Sequence, residues 1–160
     1  PSDVELVPGA AEAVSLLNAR GIPVVIVTNQ SGIGRGYYTE KDFRAVQEEV
    51  ERQLAMHGCA VDSVQHCPHA PDEPCGCRKP DLGMHRAAAD RLGVALEEAL
   101  YVGDKVSDVL PAVRTGGTGY LLRTGHGPPD QEPPEGVRWA DDLLTAVVEA
   151  LGLGAGEDDD

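Results

Sequence analysis

The segment from residue 67 to residue 80, CPHAPDEPCGCRKP, constrains the fold of this chain more than any other stretch. It places Cys67 and His69 one residue apart, and Cys75 and Cys77 follow with the same spacing. Two close pairs of sulfur and nitrogen ligands around a short loop are typical of a tetrahedral Zn²⁺ site. Four protein ligands fill the coordination sphere. The expected zinc is therefore structural rather than catalytic, and it holds together a loop that could not bury a core of its own.

The same residues leave other states open, namely disulfides or free thiols. A bridge between Cys75 and Cys77 is disfavoured, because a single intervening residue closes a strained ring. Arg78 and Lys79 come directly after the last of these cysteines. A metal loop that ends by directing two cations at one place predicts an anion-binding site beside it.

The overall composition narrows the classes of partner. The 160 residues suffice for one domain with a substantial core, and an aromatic content of 4% makes that core mainly aliphatic. A net charge of −14 argues against nucleic acid or an anionic membrane surface as a partner. We find no apolar run that could span a bilayer and no signal peptide. Together with cysteines that bind metal rather than pair, this favours a cytoplasmic protein.

Apolar periodicity predicts helices that alternate with strands. The predicted strands are residues 22–28, 61–66, 99–104 and 119–123. The predicted helices are residues 8–20, 82–92, 106–115 and 141–151, with another between the cap Thr39 and Gly58. The strands at 22–28 and 99–104 are continuous apolar runs, which are typical of strands buried on both faces of a parallel sheet. This alternation predicts an α/β fold with a doubly wound parallel sheet.

Between these elements we expect loops and one isolated buried cysteine. The glycines of residues 32–36 predict a flexible loop, and the prolines of residues 124–136 predict a surface loop. Cys59 is expected to be a small buried apolar residue. Residues 1–152 are expected to form one domain, and residues 153–160 a disordered acidic tail.

Polar side chains stand at the ends of two predicted strands and after the metal loop. Thr28 ends one strand, Asp104 ends another with Asp108 just beyond it, and Lys79 follows the last cysteine. Taken singly, each is as readily an ordinary turn or surface residue. Ligands of open α/β sheets bind at the carboxyl ends of the strands. A hydroxyl, an ammonium and carboxylates at one such edge can bind a phosphoryl group and its Mg²⁺.

The segments VVIVTNQSGIGRGYYTE, CPH…CGCRKP and YVGDKVSD resemble the haloacid dehalogenase (HAD) superfamily. They are most similar to its zinc-containing branch, the D-glycero-D-manno-heptose 1,7-bisphosphate 7-phosphatases and the related histidinol-phosphatases. The resemblance runs from residue 8 to residue 122. It implies a HAD-like, Rossmann-type sheet with a zinc-binding loop, structural Zn²⁺, catalytic Mg²⁺ and a small sugar phosphate as substrate.

The resemblance also implies a role for each matching residue. Thr28 would bind a phosphoryl oxygen, Lys79 would stabilise the phosphoryl group, and Asp104 would ligate Mg²⁺. Asp108 would act behind that carboxylate without contacting the metal. The residues implied in substrate binding are Asn29, Gln30, Ser31, Arg78 and Lys105, and the zinc ligands are Cys67, His69, Cys75 and Cys77.

The family's Asp-x-Asp motif does not follow any predicted strand in this sequence. That motif supplies the nucleophile, which forms an aspartyl-phosphate, and the general acid/base. Asp3 precedes the first helix and ends no strand. We therefore expect the catalytic strand upstream of Pro1, in the centre of the sheet between the strands that end at Thr28 and Asp104. The sequence as given is then expected to be inactive and poorly stable by itself.

Several functions remain open at this point. Removal of the 7-phosphate from heptose bisphosphate is favoured, because the cations Arg78, Lys79 and Lys105 would suit a doubly phosphorylated ligand. Hydrolysis of histidinol phosphate and a non-catalytic, zinc-held phosphate-binding domain are the alternatives. A zinc-dependent hydrolase is disfavoured, since the zinc would have no open position. No segment indicates a dimer, so we expect a monomer.

Overall fold

The computed structural model describes residues 4–73, 75–125, 127–128 and 130–153. The chain divides into two compact units, residues 1–92 and residues 93–160. Asp3 and the acidic tail from residue 154 onward lie outside the described residues, so the predicted domain span and tail stay predictions. Among the helices in the described ranges, none has the length and apolar character needed to cross a membrane.

Unit 1, residues 1–92, holds a two-stranded parallel sheet. Its elements are α1 (Ala10–Ala19), β1 (Val25–Asn29), α2 (Ser31–Gly34), α3 (Glu40–Met56), β2 (Ser63–Cys67) and α4 (Gly83–Leu92). Val25 lies opposite Ser63, and Asn29 lies opposite Cys67. This register brings the carboxyl ends of both strands to one edge, and α4 packs against both strands.

Helices α1 and α3 of unit 1 meet in an apolar core. Val14 and Leu54 are buried there together with Cys59. The Cys59 thiol donates to the Leu54 carbonyl oxygen at 3.3 Å, and the prediction of a small buried residue at this position is confirmed. Helix α3 begins after the predicted cap, because Thr39 and Asp42 form a reciprocal capping box.

Unit 2, residues 93–160, holds a three-stranded parallel sheet in the order β3–β4–β5. Its elements are a 3₁₀ turn (Leu96–Glu98), β3 (Leu100–Gly103), α5 (Val106–Thr115), β4 (Thr118–Leu122), β5 (Arg138–Ala140) and α6 (Leu143–Ala150). Successive residues of a strand face opposite sides of the sheet. Leu121 packs with Val109 of α5, and the neighbouring Tyr120 packs with Ala146 of α6. Helices therefore cover both faces of this sheet.

The α/β architecture with parallel sheets is confirmed, but β1 and β3 are less buried than predicted. All residues of β1 are half-buried, and in β3 only Tyr101 is fully buried. Within the described part of the chain each of these strands has a single strand neighbour, β2 for β1 and β4 for β3. An edge strand leaves part of its surface uncovered, whereas the continuous apolar runs predicted burial on both faces.

Two connections also differ from the sequence prediction. The glycine-containing segment after β1 is not a flexible loop, because its first residues form α2 and the Gly34 N–H donates to the Pro68 carbonyl oxygen at 2.7 Å. A Cβ atom on Gly34 would lie 2.7 Å from that same oxygen, so the close approach requires glycine. Strand β5 was not predicted, because three residues are too few to show an apolar alternation.

Candidate functional site

The four predicted metal ligands converge in unit 1. Cys67 ends β2, and His69, Cys75 and Cys77 lie on the loop behind it. One ligand atom from each residue lies within 4.8 Å of all the others. Zinc with Zn–S bonds of about 2.3 Å places its sulfurs about 3.8 Å apart, and the Sγ atoms of Cys67 and Cys75 are separated by 3.7 Å. The donor set and the separation of the Cys67 and Cys75 sulfurs thus fit a zinc ion.

Cys67 and Cys77 also satisfy the disulfide alternative, because their sulfurs are joined in the structure and their Cα atoms are 5.6 Å apart. A disulfide accounts for only two of the four groups. The Nδ1 atom of His69 lies 3.2 Å from the sulfur of Cys77 and 3.5 Å from that of Cys67. Cys75 adds a further thiol beside Cys67. A single metal ion explains the convergence of all four groups, which favours the metal site.

The loop that carries these ligands is held by its own hydrogen bonds. The Arg78 guanidinium donates to the carbonyl oxygens of His69 at 2.6 Å, of Ala70, and of Pro71 at 3.2 Å. The Ala70 N–H donates to the Glu73 carboxylate at 2.7 Å. Arg78 therefore braces the metal loop. Contact between Arg78 and the substrate stays a prediction. Such a contact would use the guanidinium N–H groups that do not bond to the loop carbonyls.

Lys79 docks onto the carboxyl end of β1. Its ammonium donates to the Val27 carbonyl oxygen at 2.9 Å. Its backbone N–H donates to Oδ1 of Asn29 at 2.9 Å, and Nδ2 of Asn29 donates back to the Lys79 carbonyl oxygen at 3.5 Å. The ammonium thus reaches the peptide that precedes Thr28. The structure brings the predicted hydroxyl and the predicted ammonium to the same edge of the unit 1 sheet.

The Thr28 hydroxyl is oriented by Gln30. Nε2 of Gln30 donates to Oγ1 of Thr28 at 2.9 Å, and Oε1 of the same amide accepts from the Tyr38 hydroxyl. As a donor, the Thr28 hydroxyl makes a long contact of 3.4 Å with the Asn29 carbonyl oxygen. Its single hydrogen can therefore be redirected to a phosphoryl oxygen at small cost. Ser31 opens α2 directly beyond this group.

In unit 2, Asp104 follows β3 and is half-buried at the turn into α5. Gly125, with φ of +102°, lies against it, and a Cβ atom there would be 2.8 Å from the Cβ of Asp104. The Gln131 side chain donates to the Asp104 carbonyl oxygen at 2.5 Å and accepts from the Val106 N–H at 3.2 Å. A carboxylate at a strand end is an oxygen ligand of the kind that Mg²⁺ prefers, so Asp104 fits the predicted metal chemistry.

Asp108 caps helix α5 behind that turn. Its Oδ2 accepts from the Lys105 N–H at 3.1 Å, and a Cβ atom on Gly103 would come within 2.5 Å of the same oxygen. This position fits the predicted supporting role, which stays a prediction. The Lys105 side chain is exposed, and its predicted contact with substrate stays a prediction.

Sequence reasoning did not identify Tyr38, Glu73 or Gln131 as positioning residues. All three lie in connections, where apolar periodicity carries no information about which side chain turns inward. The adjacent tyrosines Tyr37 and Tyr38 have different environments. The Tyr37 side chain is 74% exposed, whereas the Tyr38 ring occupies the position that a Cβ atom on Gly32 would take. The two glycines of the GIG pattern therefore marked a tight contact rather than a flexible loop.

The sequence comparison identifies both a family model and close relatives. The model described as haloacid dehalogenase-like hydrolase matches residues 2–116. The chain is 37% identical over 147 residues to the D-glycero-beta-D-manno-heptose-1,7-bisphosphate 7-phosphatase of Pseudomonas putida, with 91% of this chain and 84% of that protein covered. It is 38% identical over 154 residues to the enzyme of the same name from Bordetella bronchiseptica, with 94% and 86% covered.

Solved structures show the same likeness. The D,D-heptose 1,7-bisphosphate phosphatase of B. bronchiseptica, crystallised with magnesium and phosphate, superposes with a TM-score of 0.82 at 35% identity, covering 91% of this chain and 83% of that one. A Mesorhizobium loti protein of the HAD-like phosphatase type superposes with a TM-score of 0.77 at 34% identity, covering 92% of this chain and 76% of that one. Both likenesses extend across most of the chain, as the sequence resemblance implied.

Proposed function

The chain belongs to the haloacid dehalogenase-like hydrolase family, and we propose that it is a Mg²⁺-dependent phosphatase that removes the 7-phosphate of D-glycero-D-manno-heptose 1,7-bisphosphate. The observation that carries the proposal is the docking of Lys79 beside Thr28 at the end of β1. An ammonium and a hydroxyl held together at one strand end suit the oxygens of a transferring phosphoryl group.

Each candidate residue has a separate task in this proposal. Thr28 donates its hydroxyl hydrogen to a phosphoryl oxygen, and the Lys79 ammonium offsets the negative charge. Asp104 would hold Mg²⁺, which supplies further charge neutralisation when bound. Asp108 supports the turn that carries Asp104. The family's route through an aspartyl-phosphate needs a carboxylate nucleophile, and no residue of the given sequence is assigned that role.

The zinc site serves the phosphate site indirectly. Arg78 and Lys79 follow Cys77 in the chain, and the guanidinium of Arg78 bonds the loop carbonyls. A zinc ion held by the four ligands would therefore fix the point from which Lys79 reaches β1. With four protein ligands it offers no open position for a reacting group, so its contribution is to the folded loop.

The bisphosphate assignment is supported by the names of the relatives and by the three cations that the family resemblance assigns to phosphate and substrate, namely Arg78, Lys79 and Lys105. Arg78 and Lys105 would contact the substrate together with the polar group after β1, which consists of Asn29, Gln30 and Ser31. We further propose a monomer that acts in the cytoplasm on this small molecule, without a nucleic-acid or membrane partner. The net charge of −14 supports the last point.

Release of phosphate from heptose 1,7-bisphosphate and from histidinol phosphate, each with and without Mg²⁺, tests the proposal on a protein that carries the family's Asp-x-Asp strand ahead of Pro1, because the sequence as given is expected to be inactive. We expect Mg²⁺-dependent release with a preference for the heptose bisphosphate. Thr28→Val and Lys79→Met should each lower kcat/KM by about 10²-fold, the usual cost of removing one donor to a developing charge. Asp104→Asn should remove the response to Mg²⁺ and leave the zinc content unchanged.

The possible outcomes separate the alternatives. A preference for histidinol phosphate would overturn the substrate assignment and keep the phosphatase. If neither ester is hydrolysed but inorganic phosphate binds in a way that depends on Thr28, the protein is a phosphate-binding domain without catalysis. Full activity in Lys79→Met would contradict the role given to the docked ammonium.

A further inference from the structure

We propose that Gln131 is a positioning residue for the Mg²⁺-binding carboxylate of Asp104. Its side-chain amide spans the turn between β3 and α5. Nε2 donates to the Asp104 carbonyl oxygen at 2.5 Å, and Oε1 accepts from the Val106 N–H at 3.2 Å. The inference rests on the proposed function, because it takes Asp104 to be a Mg²⁺ ligand, and it adds a residue that acts through Asp104.

The two hydrogen bonds fix the backbone on either side of Lys105. A bond to the Asp104 carbonyl oxygen restrains ψ of Asp104, and a bond to the Val106 N–H orients the peptide that follows Lys105. The direction of a short side chain such as that of aspartate depends strongly on its own backbone angles. The amide of Gln131 therefore determines where the Asp104 carboxylate can lie.

A second contact from the same segment acts on the carboxylate itself. Gly125 lies so close that a Cβ atom there would be 2.9 Å from Cγ of Asp104. The backbone N–H of Gln131 donates to the Pro128 carbonyl oxygen at 3.3 Å. Backbone at Gly125 thus limits the carboxylate on one side, while the Gln131 amide bonds to the β3–α5 turn on either side of Lys105.

Mg²⁺ is unusually sensitive to such positioning. It requires near-octahedral geometry with oxygen ligands at about 2.0–2.1 Å, and it gives up its water ligands reluctantly. A carboxylate that samples several orientations binds it less well than one that is held in place. The amide of Gln131 supplies one donor and one acceptor in the fixed arrangement that the turn needs, and an apolar side chain of the same length supplies neither.

Isothermal titration with Mg²⁺ in the presence of inorganic phosphate tests the inference on the full chain. Gln131→Met should weaken Mg²⁺ binding about three- to tenfold, the range expected when net hydrogen-bond free energy is lost. The matched control is Gln65→Met, which removes a glutamine that donates to Ser63 at 3.1 Å on β2 of unit 1. This control should leave Mg²⁺ affinity within about twofold of the parent.

A double-mutant cycle separates a positioning role from a general structural one. If Gln131 acts through Asp104, then Gln131→Met should have no further effect on Mg²⁺ affinity in an Asp104→Asn background. Zinc content and the denaturation midpoint report whether the variant is folded. Should Gln131→Met fail to fold, Gln131→Asn is judged by the same measurements, since it keeps both polar groups but is one methylene too short.

The results distinguish failure of this inference from failure of the proposed function. Unchanged Mg²⁺ affinity in folded Gln131→Met or Gln131→Asn, with a large loss in Asp104→Asn, would overturn the inference alone. Additive effects in the double variant would also overturn it. Unchanged Mg²⁺ affinity in Asp104→Asn would remove the metal role of Asp104 and, with it, both conclusions.

Discussion

Unit 1 and unit 2 hold their candidate groups in different ways. In unit 1 the groups come from distant segments, and Lys79 is tied to Asn29 across 50 residues of sequence by side-chain hydrogen bonds. In unit 2 Asp104 directly follows a strand whose sheet is packed on both faces, and Val109 and Leu121 in one of its cores are fully buried. Unit 1 thus positions its groups by polar contacts and a metal loop, whereas unit 2 positions Asp104 by apolar packing of its sheet together with the amide of Gln131.

This difference predicts which kind of change should disrupt the candidate groups of each unit. A parallel strand with covered neighbours positions its terminal residue as a consequence of the core. A loop rich in proline and glycine has no core, and it keeps a geometry only through ligands or hydrogen bonds. The residues that direct Lys79 should therefore respond to metal loss, whereas the residue at the end of β3 should respond to cavities in its core.

Loss of the zinc ligands should have the largest effect, and it should be confined to unit 1. Cys77→Ser removes one of four ligands, and structural zinc sites contribute roughly 10 kcal/mol or more of folding free energy in small domains. We expect loss of zinc together with loss of order at Arg78 and Lys79, and loss of inorganic phosphate binding. Metal analysis and proteolysis within residues 67–80 measure these effects.

Cys59→Ala is the control for that experiment, because this thiol is buried in the α1–α3 core outside the ligand set. It should keep one zinc per chain. Protein that contains no zinc when purified without chelator, with four titratable thiols, would contradict the metal site. Zinc loss accompanied by equal loss of Mg²⁺ binding at Asp104 would break the distinction between the two units.

A cavity in unit 2 should have the next largest effect. Leu121 is completely buried and packs with Val109, and Leu→Ala changes at such sites cost about 2–5 kcal/mol. We expect Leu121→Ala to lower the free energy of unfolding by that amount and to leave zinc bound. Val113→Ala is the control on the same helix as Val109, because its side chain is 51% exposed. Urea denaturation of both variants, with zinc analysis at intermediate denaturant, provides the measurement.

The same contrast explains how much of the molecule could be predicted from sequence. Apolar periodicity located most helices and strands, and the spacing of Cys67, His69, Cys75 and Cys77 predicted a cluster that the structure brings together. The capping box of Thr39 was predictable, because it is a local pattern. Patterns that repeat along the chain, or that lie within a few residues of each other, can be predicted from the sequence without a structure.

Contacts between segments that are distant in the sequence could not be predicted in the same way. The residues around Asn29 in the sequence do not indicate that its side chain hydrogen-bonds to the backbone of Lys79. The residues around Gln131 likewise do not indicate that its side chain hydrogen-bonds to Asp104. Strand β1 is half-buried rather than buried on both faces, as expected for a strand that lacks one neighbour in the sequence as given. Long-range polar positioning is therefore where the sequence prediction stopped.

Removal of the link between Asn29 and Lys79 should have an intermediate effect on unit 1. Asn29→Ala loses the acceptor for the Lys79 N–H, so the ammonium should be less well placed and inorganic phosphate affinity should fall about tenfold. Asn29→Asp keeps that acceptor and loses the 3.5 Å donor contact, so its loss should be smaller unless the added negative charge repels phosphate. Measuring both at several salt concentrations separates geometry from charge, because screening weakens only the latter. If both variants lose the same phosphate affinity at every salt concentration, the proposed role of Asn29 in positioning Lys79 is wrong.

An alkaline loss of stability should be specific to unit 2. Burial raises the pKa of Tyr101 above its ordinary value of 10.0, and its hydroxyl donates to the Leu96 carbonyl oxygen at 2.8 Å. The neutral phenol is the form that the fold favours, so its contribution is complete below pH 10 and is lost as the pH rises through the raised pKa. Tyr101→Phe should lack this alkaline dependence, whereas Tyr37→Phe, at an exposed tyrosine, should retain it.

An acid loss of stability should arise at Glu49 in unit 1, and it is the smallest effect we expect. Hydrogen bonds from Arg52, and then from Gln53, lower the pKa of Glu49 from 4.5 to about 2. The carboxylate is the favoured form, so its contribution is present above pH 4.5 and is lost as the pH falls through about 2. The side chain of its partner Arg52 is 61% exposed, and screening by solvent leaves little of such an interaction. Urea denaturation at several pH values measures how the free energy of unfolding falls in acid. Glu49→Gln should reduce that fall only slightly, and the neighbouring exposed change Glu48→Gln should leave it as in the parent. An equal reduction in both variants would mean that general charge, and not the contacts of Glu49, sets the stability of unit 1 at low pH.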